Sequence, residues 1–571
     1  MFARILKQKN KDGTLRQYFL LCKAIRQGKK IKQVTVANLG RLDENGMLAN
    51  AEGIIEKLLT VQKKYQLIEQ SKSLLAHSAK TYGPVVVFES LWKELGIGAA
   101  LDRLIEDSNV TSQVNEALFC IVLNRLLEPH SKLGTFRWKE TVYRKAWEDL
   151  ELQHFFRSMD VLAQCKEIIE QALSQRLLTL FNLDLTLVLM DTTTVMYDGE
   201  GEESELLERG YSRDKRPDLK QAVVGVMMTR EGIPLACEVY AGNLSDQNAF
   251  PAMWRRFKER FPNVKQVIFV CDRGSISDKN LTMLEELKYD YIIGVRMRSL
   301  SDTMRLKLLS DEGFHEVCDD LQIKEANHTD EAGKKRRYIV AFNPVEAAYE
   351  KKKRVAFRKA LETKIRKRGL KDWLIKNGYK KYIRFLEGSG LELDEKRFDQ
   401  ETMYDGKWVL LTSTKLPAKD VALHYKGLAL VERGFRAMKS EFEVHPMHHR
   451  VTRRIETHIF LCFLALVLRC VFIRKLRDWE LRTKKIDEPL EVNSYLEILE
   501  DLEKMKAVDL EVGDRRLVIR TELEGKAYAA FQAIGKAVPP QIVDGTAISG
   551  NGVQKSLDNK GSTQFRQLTL V

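Results

Sequence analysis

The stretch Leu185–Tyr197, LTLVLMDTTTVMY, sets the tightest limit on what this chain can become. It is a run of β-forming residues interrupted by one carboxylate, Asp191. Continuous apolar runs rich in β-branched residues read as strands buried on both faces in the middle of a sheet. A carboxylate in such a strand costs free energy unless something cationic meets it. Taken alone, Asp191 fits a local turn or cap equally well. A second strand-end aspartate and a helical glutamate, introduced below, favour a site.

The segments that follow keep one rhythm. Strands are expected at 185–191, 221–229, 233–240, 266–271 and 291–296, with a turn on Glu231-Gly232. Helices are expected at about 247–261, with Ser245 or Asp246 at the N-cap, and at about 278–287. Three antiparallel strands followed by alternating α and β is the order of a ribonuclease-H-like fold. The expected class is therefore α/β, a mixed sheet spanning 181–299 and 406–477.

Around that core the chain divides by pattern. Residues 1–45 alternate apolar and polar, a basic β-meander. Residues 46–180 read as a helical N-terminal region, a candidate for binding DNA ends. Residues 300–405 form a basic α+β insertion, with a helix at 345–368 and Trp373, Tyr379, Tyr382 and Phe385 interleaved among cations. Residues 478–540 read as a small C-terminal α+β region, a candidate for dimerisation. After Pro539-Pro540, the Gly/Ser/Asn-rich stretch 541–571 is expected to be disordered.

Charge narrows the partner. The net charge is +14, but residues 1–35 hold ten Lys/Arg against one Asp, and 351–384 hold fifteen against two acids. These two windows carry +22, leaving about −8 for the rest, so the positive charge is concentrated as a polyanion partner requires. Solvated charged helices would give the same composition. The eight cysteines never fall in CxxC spacing, which fits buried thiols in a reducing cytoplasm and offers no zinc signature. The longest apolar run, Ile459–Leu468, is too short to span a bilayer and reads as a buried core helix.

Asp191 ends the first strand, and Asp272 ends the fourth, in VIFVCDRG. In a ribonuclease-H-like sheet these strands are neighbours, so the two aspartates converge at one edge. Glu432, on the helix expected at 418–441, supplies a third acid from across that edge. Three gathered carboxylates repel one another, and a bound divalent cation is the usual resolution. Oxygen donors of this hardness suit Mg²⁺ or Mn²⁺. Two such ions, about 3.5–4 Å apart, can clamp the attacking and leaving oxygens of a phosphoryl displacement. Tyr425, Glu432, Arg436 and Lys439 also fall on one helical stripe, with Glu432 and Lys439 about 10.5 Å apart along the axis. Cations flanking an acid in this way can hold adjacent phosphates of a DNA strand. A salt-bridged structural helix is the plain alternative.

Here the residues resemble a known family. Tyr425-x6-Glu432-x6-Lys439 is similar to the Y-x2-R-x3-E-x6-K signature of DDE transposases from bacterial insertion sequences, with Leu428 at the arginine position. With leucine there, one phosphate contact is either lost or taken over by Arg433 or Arg436. Asp191-Thr192-Thr193, Gly210-Tyr211-Ser212-Arg213-Asp214, Gly242-Asn243-Leu244-Ser245-Asp246 and Asp272-Arg273-Gly274 resemble the same subgroup. That subgroup carries an insertion between its second Asp and its Glu. The gap of 160 positions from Asp272 to Glu432, against 81 from Asp191 to Asp272, agrees with it.

The resemblance implies cut-and-paste transposition on double-stranded DNA by a cytoplasmic, nucleoid-associated protein, as a homodimer on paired element ends. Hydrolysis frees a 3′-OH, which attacks the opposite strand through a hairpin and later joins target DNA. Asp191, Asp272 and Glu432 would hold two Mg²⁺ or Mn²⁺ ions. Tyr425, Arg433, Arg436, Lys439 and Arg273 would contact DNA. Lys371 and Lys376 would hold phosphates beside Trp373, expected to stack on a flipped base with Tyr379 as the substitute. His445, His448, His449 and His458 fit packing or phosphate contacts better than a metal cluster. A stand-alone metal-dependent nuclease and a non-catalytic DNA-binding descendant are the alternatives.

Overall fold

Alternating apolar and polar residues build three antiparallel strands at the N terminus, β1 (Phe2–Lys9), β2 (Leu15–Gln27) and β3 (Lys30–Arg41). The computed structural model describes residues 2–9, 13–27, 30–42, 74–105, 108–199, 204–275, 277–318, 320–329, 333–365, 379–385, 391–484, 492–512 and 515–547. The chain forms two compact units, one of residues 1–91, 136–149 and 472–571, the other of 92–135 and 150–471.

The first unit holds the meander and a second sheet. Strand β4 (Leu74–Thr81) lies within the stretch expected to be all helical, and it pairs with a strand from the far end of the sequence. Residues 46–180 are therefore not one region: 83–91 and 136–149 go with this unit and the remaining helices with the other.

The second unit is built on a nine-stranded sheet. Strand β5 (Leu187–Met196), third from one edge, is followed by β6 (Gln221–Thr229), β7 (Pro234–Ala241), β8 (Ile268–Cys271) and β9 (Asp290–Gly294). These five lie in the order β7-β6-β5-β8-β9, with β5, β6 and β7 antiparallel and β8 and β9 parallel to β5. That order is ribonuclease-H-like. β6 is buried at every position, as its unbroken apolar sequence demands. Phe250, Trp254 and Phe257 of the helix Asp246–Arg260 cover one face of the sheet, where Phe257 meets Phe269 of β8 edge to face at 5.2 Å.

The sheet then continues through part of the expected insertion. β10 (His315–Cys318), β11 (Leu321–Thr329) and β12 (Lys335–Phe342) extend it beyond β9. After a short hairpin of β13 (Ile383–Phe385) and β14 (Leu391–Leu393), β15 (Lys407–Thr412) slots between β12 and β9. The excursion from the sheet is thus narrower than 300–405. It begins after Phe342, whose register partner is Lys407, and Asn343 donates its backbone N–H to Gly406 at 2.7 Å. Gly406 has φ +60, and a Cβ there would lie 2.3 Å from the Asn343 carbonyl, so the closing turn requires glycine.

The open edge at β7 is covered. Helix Leu152–Phe181 lies along it, and Glu170 accepts the Cys237 N–H at 2.7 Å. Ser174 Oγ donates to the Leu235 carbonyl at 2.7 Å and Lys166 Nζ to that of Cys237 at 3.2 Å. Arg260 pairs with the buried Glu170 at 2.9 Å. Side chains thereby occupy edge groups that another strand could otherwise pair with.

The first unit's second sheet closes with β16 (Lys506–Val512), β17 (Arg515–Arg520) and β18 (Ile542–Ala547), in the order β18-β17-β16-β4. Residues 542–547 fall in the expected disordered tail, yet they pair with β17. Leu517 and Ile519 are buried there, so the strand is drawn out by packing that composition does not reveal.

Candidate active site

Register places two aspartates together. Met190 of β5 pairs with Cys271 of β8 in parallel, so Asp191 and Asp272 each follow the last paired residue of adjacent strands. Neighbouring strands lie about 4.8 Å apart, which brings both side chains to one point on the sheet edge. The Asp191 side chain is only 14% exposed. Burial pushes its carboxyl up to about 6; Arg213 and the Thr192 N–H oppose the rise, and the charges of Asp272 and Asp246 add to it.

The four short motifs meet around this pair. Arg213 donates to both Asp246 oxygens at 2.9 and 3.0 Å and stands 3.5 Å from Asp191. Buried Thr192 donates its hydroxyl to Asp246 at 2.6 Å. Gly210 is pressed against Gly242, since a Cβ on it would lie 2.2 Å from the Gly242 carbonyl. A Cβ on Gly274 would meet the Asp246 carboxylate at 2.5 Å. In the sequence these motifs assign no role to Arg213 or Asp214, and to Asp246 only that of an N-cap candidate. The N-cap reading of Asp246 does not hold: Ser245 is the N-cap, and the Asp246 carboxylate turns to Thr192 and Arg213.

The third acid arrives on a broken helix. The expected helix 418–441 is two segments, Ala418–Lys426 and Leu428–Arg436, followed by a π turn over Ala437–Glu441. At the break, a Cβ on Gly427 would touch Leu189 of β5, and one on Gly434 would lie 2.6 Å from Met228 of β6. These small residues seat the helix directly on the sheet. Tyr425 donates its hydroxyl to Asp272 at 2.9 Å, and burial together with the Asp272 charge holds that hydroxyl firmly protonated. Glu432 and Arg433 are exposed, as is Arg436, while Lys439 pairs with Asp214 at 2.7 Å. Glu432, Asp272, Arg273 and Tyr425 line one cavity of about 690 Å³ that continues past Tyr404 and Trp408.

The gathering of acids is looser than the sequence suggests. Among the described residues, no three His, Cys, Asp or Glu side chains stand close enough to hold an ion. Carboxylates repel one another, and Arg213, whose closer partner is Asp246, stands 3.5 Å from Asp191. The histidines pack: His458 meets the Val444 carbonyl at 3.0 Å, His448 the Asp198 carbonyl at 2.9 Å, and burial depresses the His449 imidazole to about 3. Tyr379 packs against Phe357 with ring centroids 5.7 Å apart. Lys371, Trp373 and Lys376 lie outside the described residues.

Gly294, at the end of β9, was not singled out from the sequence. A Cβ there would lie 2.3 Å from the Tyr425 hydroxyl, so Gly294 makes room for the Tyr425–Asp272 hydrogen bond. Gly294→Ala is expected to cost about 1–3 kcal/mol by overpacking. Adding Tyr425→Phe should recover part of that loss, because the clashing hydroxyl is gone. Urea titration of the two single variants and the double variant checks this; additive losses would show that the hydroxyl is not the obstruction.

Comparison with known proteins agrees with the geometry. The family described as "Transposase DDE domain" matches residues 182–468, and "IS1634 family transposase, N-terminal domain" matches residues 3–70. None of the curated proteins matches. Among solved structures, a piggyBac transposase in a synaptic complex with hairpin DNA aligns over 74% of this chain and 80% of its own, at 10% identity and a TM-score of 0.35, too low to bear on the argument. No helix among the described residues is long and apolar enough to cross a membrane. The first family match spans half the chain and takes in every strand of the nine-stranded sheet, and on it this chain belongs to the DDE transposases of insertion sequences.

Proposed function

We propose that this protein binds the ends of its own insertion element, cuts them to free a 3′-OH, and joins them to target DNA, passing through a hairpin on the opposite strand. One observation carries the reading: Asp191 and Asp272 stand where the parallel pairing of β5 with β8 ends, with Tyr425 bonded to Asp272 and Glu432 lining the same cavity. The donor set is all oxygen, and the two aspartates' charges oppose one another, which fits a hard divalent ion such as Mg²⁺ or Mn²⁺. Asp191, Asp272 and Glu432 would hold it, or a pair of such ions, and bound there it would supply an activated water and offset charge on the phosphate.

The chain's own groups do the positioning. Tyr425 fixes the Asp272 carboxylate through its hydroxyl, and Thr192 and Arg213 fix the neighbourhood of Asp191. Arg273, Arg433 and Arg436 are exposed cations able to take phosphates. Lys439 serves by locking Asp214, and it would reach a phosphate only by giving up that pair. The basic windows, 1–35 and 351–384, would add sequence-independent affinity, and two copies would hold paired ends. In the stretch between β12 and β15, Trp373 with Lys371 and Lys376 remains the proposed stacking element.

The test uses the inverted repeats read from DNA flanking the gene. A duplex carrying one repeat should be nicked to a 3′-OH with Mg²⁺ and left intact with EDTA, and the product should join a target plasmid. Cutting without joining would make the protein a nuclease; no cutting would overturn the proposal.

A further inference from the structure

A second cavity, of about 840 Å³, adjoins the first at Asp272 and Arg273. Four arginines line it, Arg213, Arg273, Arg296 and Arg298, and Tyr211 stands on its wall. Arg213 and Arg298 are engaged, with Asp246 and Glu401. Arg273 and Arg296 are exposed, and among the described residues no ion pair ties either down. Apart from Asp272, the cavity's acid is Asp246, already neutralised by Arg213. The space is therefore an anion-accepting channel that starts at the proposed reaction centre.

Tyr211 gives the channel its second property. The residue is 88% exposed, unusual for a large aromatic, although its backbone is held from both sides. Gly210 is pressed against Gly242, and the Tyr211 carbonyl accepts a hydrogen bond from buried Gln221 at 3.2 Å. Immediately after it, Arg213 is anchored to Asp246 and Asp214 to Lys439. The backbone here is held, so the ring projects from a fixed point beside the arginines.

We propose that this channel takes a single, unpaired DNA strand beside the reacting phosphate, with Tyr211 as the platform on which one base stacks. Arginines spaced along a groove follow a phosphate backbone, and an open aromatic face suits any base whose own face is free. A duplex hides its base faces in the helical stack, so the ring selects for unpaired DNA. The inference rests on the transposase reading and adds to it a strand state and a binding residue.

The experiment is fluorescence anisotropy of the full chain with a labelled oligo(dT) strand and with a duplex of equal length, in EDTA. Tyr211→Ala is expected to weaken oligo(dT) binding by about 5- to 150-fold, the range of one stacked base, and to leave duplex binding within about twofold. Tyr211→Phe, which keeps the ring, should bind as wild type does. Arg296→Ala should lower the single-strand salt slope by about 0.7. Equal oligo(dT) affinity for wild type and Tyr211→Ala would overturn the proposal, as would equal losses for the Ala and Phe variants. No metal and no element sequence enter this measurement. A failed channel therefore leaves the cutting assay unaffected, and failed cutting leaves the channel standing.

Discussion

Asp191→Asn and Asp272→Asn should each lower DNA cutting by more than about a hundredfold, the scale set by removing one preorganised electrostatic group. Glu432→Gln should do the same, although Glu432 is exposed, in the cavity that Tyr425 and Asp272 also line. The aspartates can be told apart by a second readout, because the cost of burying charge falls on Asp191. Its carboxyl is raised to about 6 against an ordinary value near 4, so the folded state holds its proton more tightly than the unfolded chain does. Stability is then lost as pH rises from about 4 through 6, by up to about 3 kcal/mol. Asp191→Asn removes that penalty and should melt higher than wild type at pH 7.5, with the gap closing near pH 4. Mg²⁺ should raise the wild-type melting temperature more at pH 7.5 than at pH 5, where the proton competes. A variant that neither gains stability nor loses cutting would remove Asp191 from the site.

The second large effect is structural. Glu170→Ala deletes a buried carboxylate that accepts the Cys237 N–H and pairs with Arg260, itself nearly buried. Removing one member of a buried pair strands the other, at about 3–5 kcal/mol. Urea unfolding should show a loss of that size, with Glu170→Gln losing less because its amide oxygen can still accept the Cys237 N–H. The edge of β7 would also be less protected, so Glu170→Ala should aggregate more readily than Gly294→Ala at matched stability. Similar aggregation in the two would mean that Glu170 does not guard the edge.

Much of the central sheet is legible in the chain because its signals are local. Met190 and Cys271 each end a short apolar run, and an aspartate follows each, so the strand-end acids are visible before any strand is paired. β4 and β18 are not, since Leu74–Thr81 and Ile542–Ala547 become strands only by pairing with partners far away in sequence. β10–β12 carry no local sign that they belong to the sheet, since the pairing of β12 with β15 spans the whole excursion. In the site, the acids and Tyr425 stand out by spacing, whereas Arg213 and Asp246 act through each other across 33 positions, a relation no periodicity encodes. Gly294 carries no sequence signal at all, because its role is the space it leaves for a hydroxyl.

The join between β12 and β15 bears on how such a protein could change over evolutionary time. The chain departs after Phe342 and returns at Lys407, which are register partners on adjacent antiparallel strands, with the Asn343–Gly406 contact sealing the gap. The described elements between them, helices Pro344–Ile365 and Glu395–Thr402 and the β13–β14 hairpin, are inserted into a hairpin whose pairing of β12 with β15 is complete without them. The register that aligns Asp191 with Asp272 lies wholly in β5 and β8, so a change of length within this segment does not enter it. The excursion still reaches the site, because Glu350, Tyr382, Glu401 and Tyr404 line the cavity that holds Asp272 and Glu432; a change in it alters what meets the acids while the strands that align them stay paired.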